Sequence, residues 1–310
     1  MSHDMENTID NAYGGLVEAD SDARWAFGTG FDDPLAGLDV AVQAGVDPAA
    51  LAAYCLMLGD DALVMAQRLA GWATRAPELE EEVALANVAL DLLGQTRLLY
   101  ARAAAADPAV VPALPDGSPV PPEDRLAFFR DPDEFRCVWL VQPPHGDFAD
   151  AVLRIAVFAT WRLAVLEELR GSVDPVLAAV AEKGIKELRY HRDYASRWVV
   201  VLAGGTEHSR RCVEDAVGDL WPLLPELGMV DEVTAGLVAT GVAADPQRTA
   251  ERLHHELELL LEDAGLAAPT SHVEAHPAGR TGRWGVHTRW LAPLLEELQG
   301  LARAHPMGRW

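Results

Sequence analysis

Of the six Asp-Pro pairs in this 310-residue chain, four stand before helical patterns: Asp47-Pro48, Asp131-Pro132, Asp174-Pro175 and Asp245-Pro246. The carboxylate can accept from the free N–H groups of a first helical turn. Proline there has no N–H to leave unsatisfied, and its φ already suits the helix. After Pro48, Leu51, Tyr54, Leu58, Ala62, Met65, Leu69 and Trp72 recur at helical spacing. Ala76-Pro77 ends that helix and starts a second, about Glu78 to Ala105, with Leu79, Val83, Ala86, Leu90, Leu93 and Arg97 along one face. Further long helices are expected over Phe148 to Leu169, Asp174 to about Ala203, Glu207 to Leu224, and Asp245 to near Leu266. Thr288 is expected to cap a last one to about Ala304, and Asp131-Pro132 to open another after the short stretch Glu123 to Arg130. Two loops interrupt the pattern, one rich in proline between Pro108 and Pro122, one at Gln142–Gly146. No strand and no fixed repeat is evident. At ~1.5 Å per residue such helices run ~30–45 Å, which suits a long antiparallel bundle.

Charge narrows the partners. With 25 Lys+Arg against 48 Asp+Glu the net charge is -23, which argues against nucleic acid or an anionic membrane surface. Near-apolar stretches such as Trp198 to Gly205 are far short of the ~18–20 residues of a membrane span. No apolar segment follows a basic start, so the chain reads as cytoplasmic. Cys55, Cys137 and Cys212 form no C-x-x-C unit and suggest no disulfide framework. The first fifty residues hold ten acids and one base, Arg24. Residues 1–46 are therefore expected to be an acidic extension, partly disordered or laid along a surface, with Trp25 and Phe27 as candidate docking residues. Residues 47–310 form the helical domain.

Inward-facing polar residues are the informative ones in a bundle, because burying them unpaired is costly. Asp61 lies close to the apolar stripe of the first helix, with Asp60 more to the side. Asn87, Asp91 and Gly94 fall near one face of the second. Asp150 opens the third, and Lys183, Glu187, Tyr190 or His191, and Tyr194 follow helical spacing on the fourth. Di-iron bundles place a carboxylate on each of two helices and Glu-x-x-His on the other two. Here the pattern gives Asp91-x-x-Gly94 and Glu187-x-x-Tyr190, so both histidines are missing; His191 sits one residue too far along. The only two lysines in the chain, Lys183 and Lys186, lie on the fourth helix. We expect one of them to hold the carboxylates around Asp61, Asp91 and Glu187 in place of a metal charge. The loop Pro277–Gly285 frames Arg280 and Arg283 with glycines near His272, His276 and His287, and could bind phosphate or a partner's acids.

Six stretches carry a family resemblance. They are Leu58-Gly59-Asp60-Asp61; Ala76 to Glu80; Leu85 to Gln95; Asp147-Phe148-Ala149-Asp150; Ile185 to His191; and Arg280-Thr281-Gly282 with Gly285 to Thr288. In this order, over roughly residues 50–310, the chain resembles the PaaC family, the C subunits of the phenylacetyl-CoA epoxidases, multicomponent oxygenases of aerobic phenylacetate degradation. The resemblance implies an all-α, ferritin-like long antiparallel four-helix bundle with additional C-terminal helices. It implies a non-catalytic, iron-free structural subunit that stabilises a homologous catalytic A subunit. That partner would hold the di-iron site and bind phenylacetyl-CoA, while a reductase passes it electrons from NADPH. Asp61, Asn87, Asp91, Gly94, Asp150, Glu187, Tyr190 and His191 would then be vestigial metal-site positions. Arg280, Arg283 and His287 would meet the partner or the CoA phosphates. The acidic extension and the proline-rich loop depart from the family pattern. Two other readings remain at this point: a di-iron oxygenase in its own right using Asp61, Asp91, Glu187 and His191, and a helical binding protein unrelated to oxygenation.

Overall fold

A computed structural model describes residues 33–269 and 280–308. Trp25, Phe27, His272 and His276 lie outside the described residues. Four long helices carry the fold: α1 (Pro48–Ala73), α2 (Leu79–Ala106), α4 (Phe148–Leu169) and α5 (Pro175–Ala203), with α3 (Pro122–Phe128) between the pairs. They are followed by α6 (Glu207–Leu220), α7 (Glu232–Ala239), α8 (Pro246–Asp263) and α9 (Leu291–Ala304). Among the described residues there is no strand. The dominant packing is α1 on α2 and α4 on α5, two hairpins with short turns, and α2 then lies along α5. Helices α6 and α8 cover α4, α7 lies on α1, and α9 reaches α3.

Three Asp-Pro starts act as their chemistry suggests. The Asp47, Asp174 and Asp245 carboxylates accept from the second or third residue of α1, α5 and α8. Asp174 does more: it also accepts from Nε and Nη2 of the fully buried Arg102, at 3.0 and 2.6 Å. Arg102 Nη1 in turn donates to the Val40 carbonyl, so part of the acidic extension, residues 33–46, is laid against the bundle with Leu35 buried.

The fourth start fails. Asp131-Pro132 gives only a single 3-10 turn, Pro132–Glu134. The reason lies in α1. The N–H groups of Arg136 and Val138 donate to Asp60 and Asp61 (2.7 and 2.9 Å), and that of Trp139 to Glu226 (2.6 Å). Three buried carboxylates thus string residues 135–138 out as extended chain up to the 3-10 turn Trp139–Val141, in place of the carbonyls a helix would supply. Two further departures occur near the C-terminus. Helix α6 stops at Leu220 and runs into a 3-10 segment, Trp221–Gly228, where Pro222 and Pro225 remove donors, and α7 is an addition to the helices expected from spacing. Helix α9 begins at Leu291; Thr288 sits three residues before it and accepts from the Trp290 N–H.

Helix α1 is long and apolar enough to cross a membrane by composition, yet 83% of its apolar window is buried inside the molecule. It is the central core helix. The apolar face expected for α2 is the wrong way out: Leu79, Val83, Leu90 and Leu93 are exposed, Leu90 by 63%. The face α2 buries consists of Leu85, Val88, Ala89, Leu92, Thr96, Leu99 and Tyr100.

Candidate functional site

The two adjacent aspartates of α1 are fully buried and are the hub of the molecule. Asp61 takes a bidentate pair from Arg283, Nη1 at 3.1 Å and Nη2 at 2.8 Å, and the Val138 N–H as well. Arg283 Nη1 also donates to the Met57 and Arg136 carbonyls, and its guanidinium lies 5.9 Å from the Trp161 ring centroid. Burial pushes the Asp61 carboxyl up, against the pull of Arg283 and of Arg162. Asp60 is equally buried and accepts from the Tyr100 hydroxyl, from Arg130 and from the Arg136 N–H. Arg130 is held over the Phe135 ring at 4.2 Å and also donates to the Tyr100 oxygen. Burial, with Asp60 beside it, raises the Tyr100 hydroxyl well above its usual range.

Each buried carboxylate of α1 has an arginine. This corrects the expectation about lysine. Lys183 is 65% exposed and makes only a 3.8 Å ion pair with Glu187 one turn on, and Lys186 is exposed. A third arginine, Arg162 of α4, is buried in the bundle core. Its Nη2 reaches Gln95 Oε1 at 3.5 Å, while Nε and Nη1 find no acceptor among the described residues. Burial pushes its guanidinium down to about 10, although Asp61 pulls the other way.

The segment expected to meet CoA phosphates is instead folded inward. Arg283 is committed to Asp61. Glu226, buried and pushed up by burial, accepts from the Gly282 and Trp139 N–H groups. His287 Nε2 lies 3.0 Å from the Phe135 carbonyl, which can only accept, so Nε2 carries the proton. Its Nδ1 then accepts from Gln142 Nε2 at 2.9 Å, and Gln142 Oε1 accepts from the Thr288 N–H. A Cβ at Gly282 would overlap the Cys137 carbonyl oxygen, and Gly285 has φ +74° with the Asp133 carbonyl against it, which is why glycine stands at both. Of the three residues expected to meet phosphate, Arg280 alone is exposed.

The other candidate positions do not converge. Asp91 does not meet Asp61; its partner is His191 Nε2 at 2.9 Å, on α5. Glu187 accepts from Gln95 Nε2 at 3.2 Å. Asp150 sits at the N-terminal end of α4, bound by Arg154 and the Gly146 N–H, and 3.8 Å from His145. Asn87 and Tyr190 are exposed, and Gly94 supplies no side chain. Among the described residues no three His, Cys, Asp or Glu side chains are grouped so as to hold a metal ion. A di-iron centre needs several anionic and imidazole donors around two ions, and these residues do not fit it.

Sequence reasoning finds Asp61 but misses Asp60, Tyr100, Arg130, Arg162 and Glu226. A usable signal exists for one of them: Arg162 is a charge isolated in the apolar run of α4.

Long helices packed as hairpins around buried aspartates, each paired with an arginine, define an all-α helical bundle protein. Residues 40–310 match the phenylacetic acid catabolic protein family, and the chain belongs to it. It is 40% identical over 263 residues, 84% of this chain and 99% of the relative, to the protein of Escherichia coli (strain K12) described as the C subunit of 1,2-phenylacetyl-CoA epoxidase.

Proposed function

We propose that this chain is the non-catalytic structural subunit of a phenylacetyl-CoA epoxidase. On this reading it is soluble in the cytoplasm and binds no iron itself. It stabilises a homologous catalytic subunit that holds the di-iron centre and phenylacetyl-CoA, and a reductase serves that subunit. The name of the Escherichia coli relative supports the complex. The observation that carries the structural role is the arginine at each buried α1 carboxylate: Asp61 is chelated by Arg283 and Asp60 by Arg130. Of the about four hydrogen bonds a carboxylate can accept, Asp60 takes four and Asp61 three inside the protein, and each already has a guanidinium where an ion's charge would stand.

In this role the chain's own residues do mechanical work. Asp60 and Asp61 fasten Arg136, Val138 and Arg283 to α1, and Glu226 fastens Trp139 and Gly282 to the segment Trp221–Gly228, so the outer surface of the bundle is held fixed for a partner. The test is metal analysis with a functional readout. The chain purified alone should carry only trace iron, and epoxidation of phenylacetyl-CoA should require it together with the catalytic subunit. About two irons per isolated chain, the stoichiometry of a working carboxylate bundle, would sink this reading.

A further inference from the structure

Residues 286–290 join the turn Gly282–Trp284 to α9 and are tied to the bundle side by side. Trp139 Nε1 donates to the Val286 carbonyl at 2.7 Å, and Arg68 Nη2 to that of Trp290 at 2.9 Å. Between these two ties the segment is held by Gln142 and Phe135. The Gln142 amide has one possible orientation. Its Nε2 lies 3.1 Å from the Cys137 carbonyl, which can only accept, and its Oε1 lies 2.8 Å from the Thr288 N–H, which can only donate. A flipped amide would set acceptor against acceptor at one end and donor against donor at the other. The second Nε2 hydrogen is left for His287 Nδ1, 2.9 Å away. His287 Nε2 is already donating to the Phe135 carbonyl at 3.0 Å. The closed segment therefore admits one state of the ring: neutral, with its hydrogen on Nε2. A proton on Nδ1 would place N–H against N–H at hydrogen-bond distance, and neither group can turn away.

The charges around the ring offer that proton no acceptor. Asp60 and Asp133 favour it and Arg136 opposes it. Asp60, however, is engaged by Tyr100, Arg130 and the Arg136 N–H, and Asp133 is exposed. Arg68 adds a positive charge at the Gln142 and Trp290 carbonyls, Arg289 lies over the Trp290 ring, and burial keeps the Cys137 thiol neutral. Burial outweighs the acids and lowers the His287 imidazole. The segment also has a place to turn. Gly285, at φ +74°, separates it from Arg283, so it can leave while the Arg283–Asp61 pair stays closed.

We infer that residues 286–290 form a proton-operated clasp, closed on Phe135 and Gln142 while His287 is neutral and released when its Nδ1 takes a proton. Release frees the Gln142 amide and the Trp139 indole N–H. The clasp does not depend on the proposed oxygenase role. Its sign follows from the two states. The open segment carries an ordinary histidine, near 6.5, and the closed one binds no proton. The opening constant is therefore flat above that value and rises ~tenfold per pH unit below it.

Amide hydrogen exchange of the full-length chain reads this at Thr288, whose N–H is held by Gln142. Corrected for the intrinsic rate at each pH, Thr288 protection should hold steady above about pH 7 and fall ~tenfold from about pH 6 to about pH 5. His287→Gln retains an N–H for the Phe135 carbonyl and takes no proton, so its Thr288 protection should stay flat. Gln142→Glu sets a carboxylate at Nδ1 and should reverse the sign, with Thr288 better protected in mild acid than at neutral pH. Native protection indifferent to pH overturns the inference. So does an equal fall in His287→Gln, which would place the titrating group elsewhere, for instance at His145. If His287→Gln stays open at every pH, Gln142→Glu decides, and a fall with acid like that of the native chain overturns the inference.

Discussion

Arg283 and Asp61 set the terms at the scale of single residues. A bidentate pair taken out of water is held by what surrounds it, and removing one member strands the other as an unpaired buried charge. Asp61→Ala should therefore cost ~3–5 kcal/mol, seen as a fall in the denaturant midpoint. Asp61→Leu combined with Arg283→Met should recover much of that loss. If the double variant is as unstable as the sum of the singles, the two residues are not a coupled unit. Histidines make the second residue-scale prediction. Both ring nitrogens of buried His145 lack hydrogen-bond partners among the described residues, and burial, with Arg154 and Arg68 nearby, pushes its imidazole well below the usual range. Burial lowers His191 against the pull of Asp91, and His287 likewise. A depressed histidine is neutral when folded and takes its proton on unfolding. Stability is then intact above the unfolded value of about 6.5 and is lost as pH falls below it, by up to ~1.4 kcal/mol per pH unit for each proton. Asp150 lies 3.8 Å from His145 Nδ1 and is itself paired with Arg154. His145→Phe should flatten the slope of stability between neutral and mildly acid pH by about one proton's worth; an unchanged slope would show that His145 does not govern it.

At the scale of elements, the 3-10 turn Gly282–Trp284 works as a latch. Gly282 donates to Glu226 and has no room for a Cβ against the Cys137 carbonyl. Gly282→Ala should lift the latch and cost more than ~2 kcal/mol, and protease cleavage near residue 280 should quicken. If Gly282→Ala melts like the parent, the latch is not closed in solution. The long helices are legible in the sequence because Asp caps and proline starts are local chemistry, as at Asp47, Asp174 and Asp245. Asp131-Pro132 has the same local chemistry and yields one turn, because its competitors for N–H groups, Asp60 and Asp61, come from a helix some 70 residues earlier. Helix α2 misleads in another way. It has apolar residues on two faces, and spacing alone does not say which one meets α1; Leu85, Leu92 and Leu99 do, Leu79, Val83 and Leu90 do not. Lysine is the nearer candidate for the internal cation because it shares a helix with Glu187, whereas Arg283 lies 222 residues from Asp61.

At the scale of the whole molecule, the chain closes on itself. Deleting residues 280–310 would leave Asp61, Glu226 and Gln142 without groups they bind and uncover α3 where Gln299 donates to the Ala127 and Arg130 carbonyls. That truncated chain should be insoluble or lose cooperative melting, and a well-folded truncation would show the bundle to be independent of its tail.

The Arg283–Asp61 pair also has a meaning in the order of synthesis. Asp61 is made among the first residues of the domain, and its guanidinium arrives near the end. Contacts so distant in sequence close slowly, since the entropy of the intervening loop must be overcome first. Until then α1 carries an acid that its own neighbours cannot neutralise, which discourages the growing chain from burying that helix prematurely. A chain cut short in translation would lack the arginine that pairs with Asp61, and the long apolar helix α1 would be the segment it leaves most exposed to chaperone and protease.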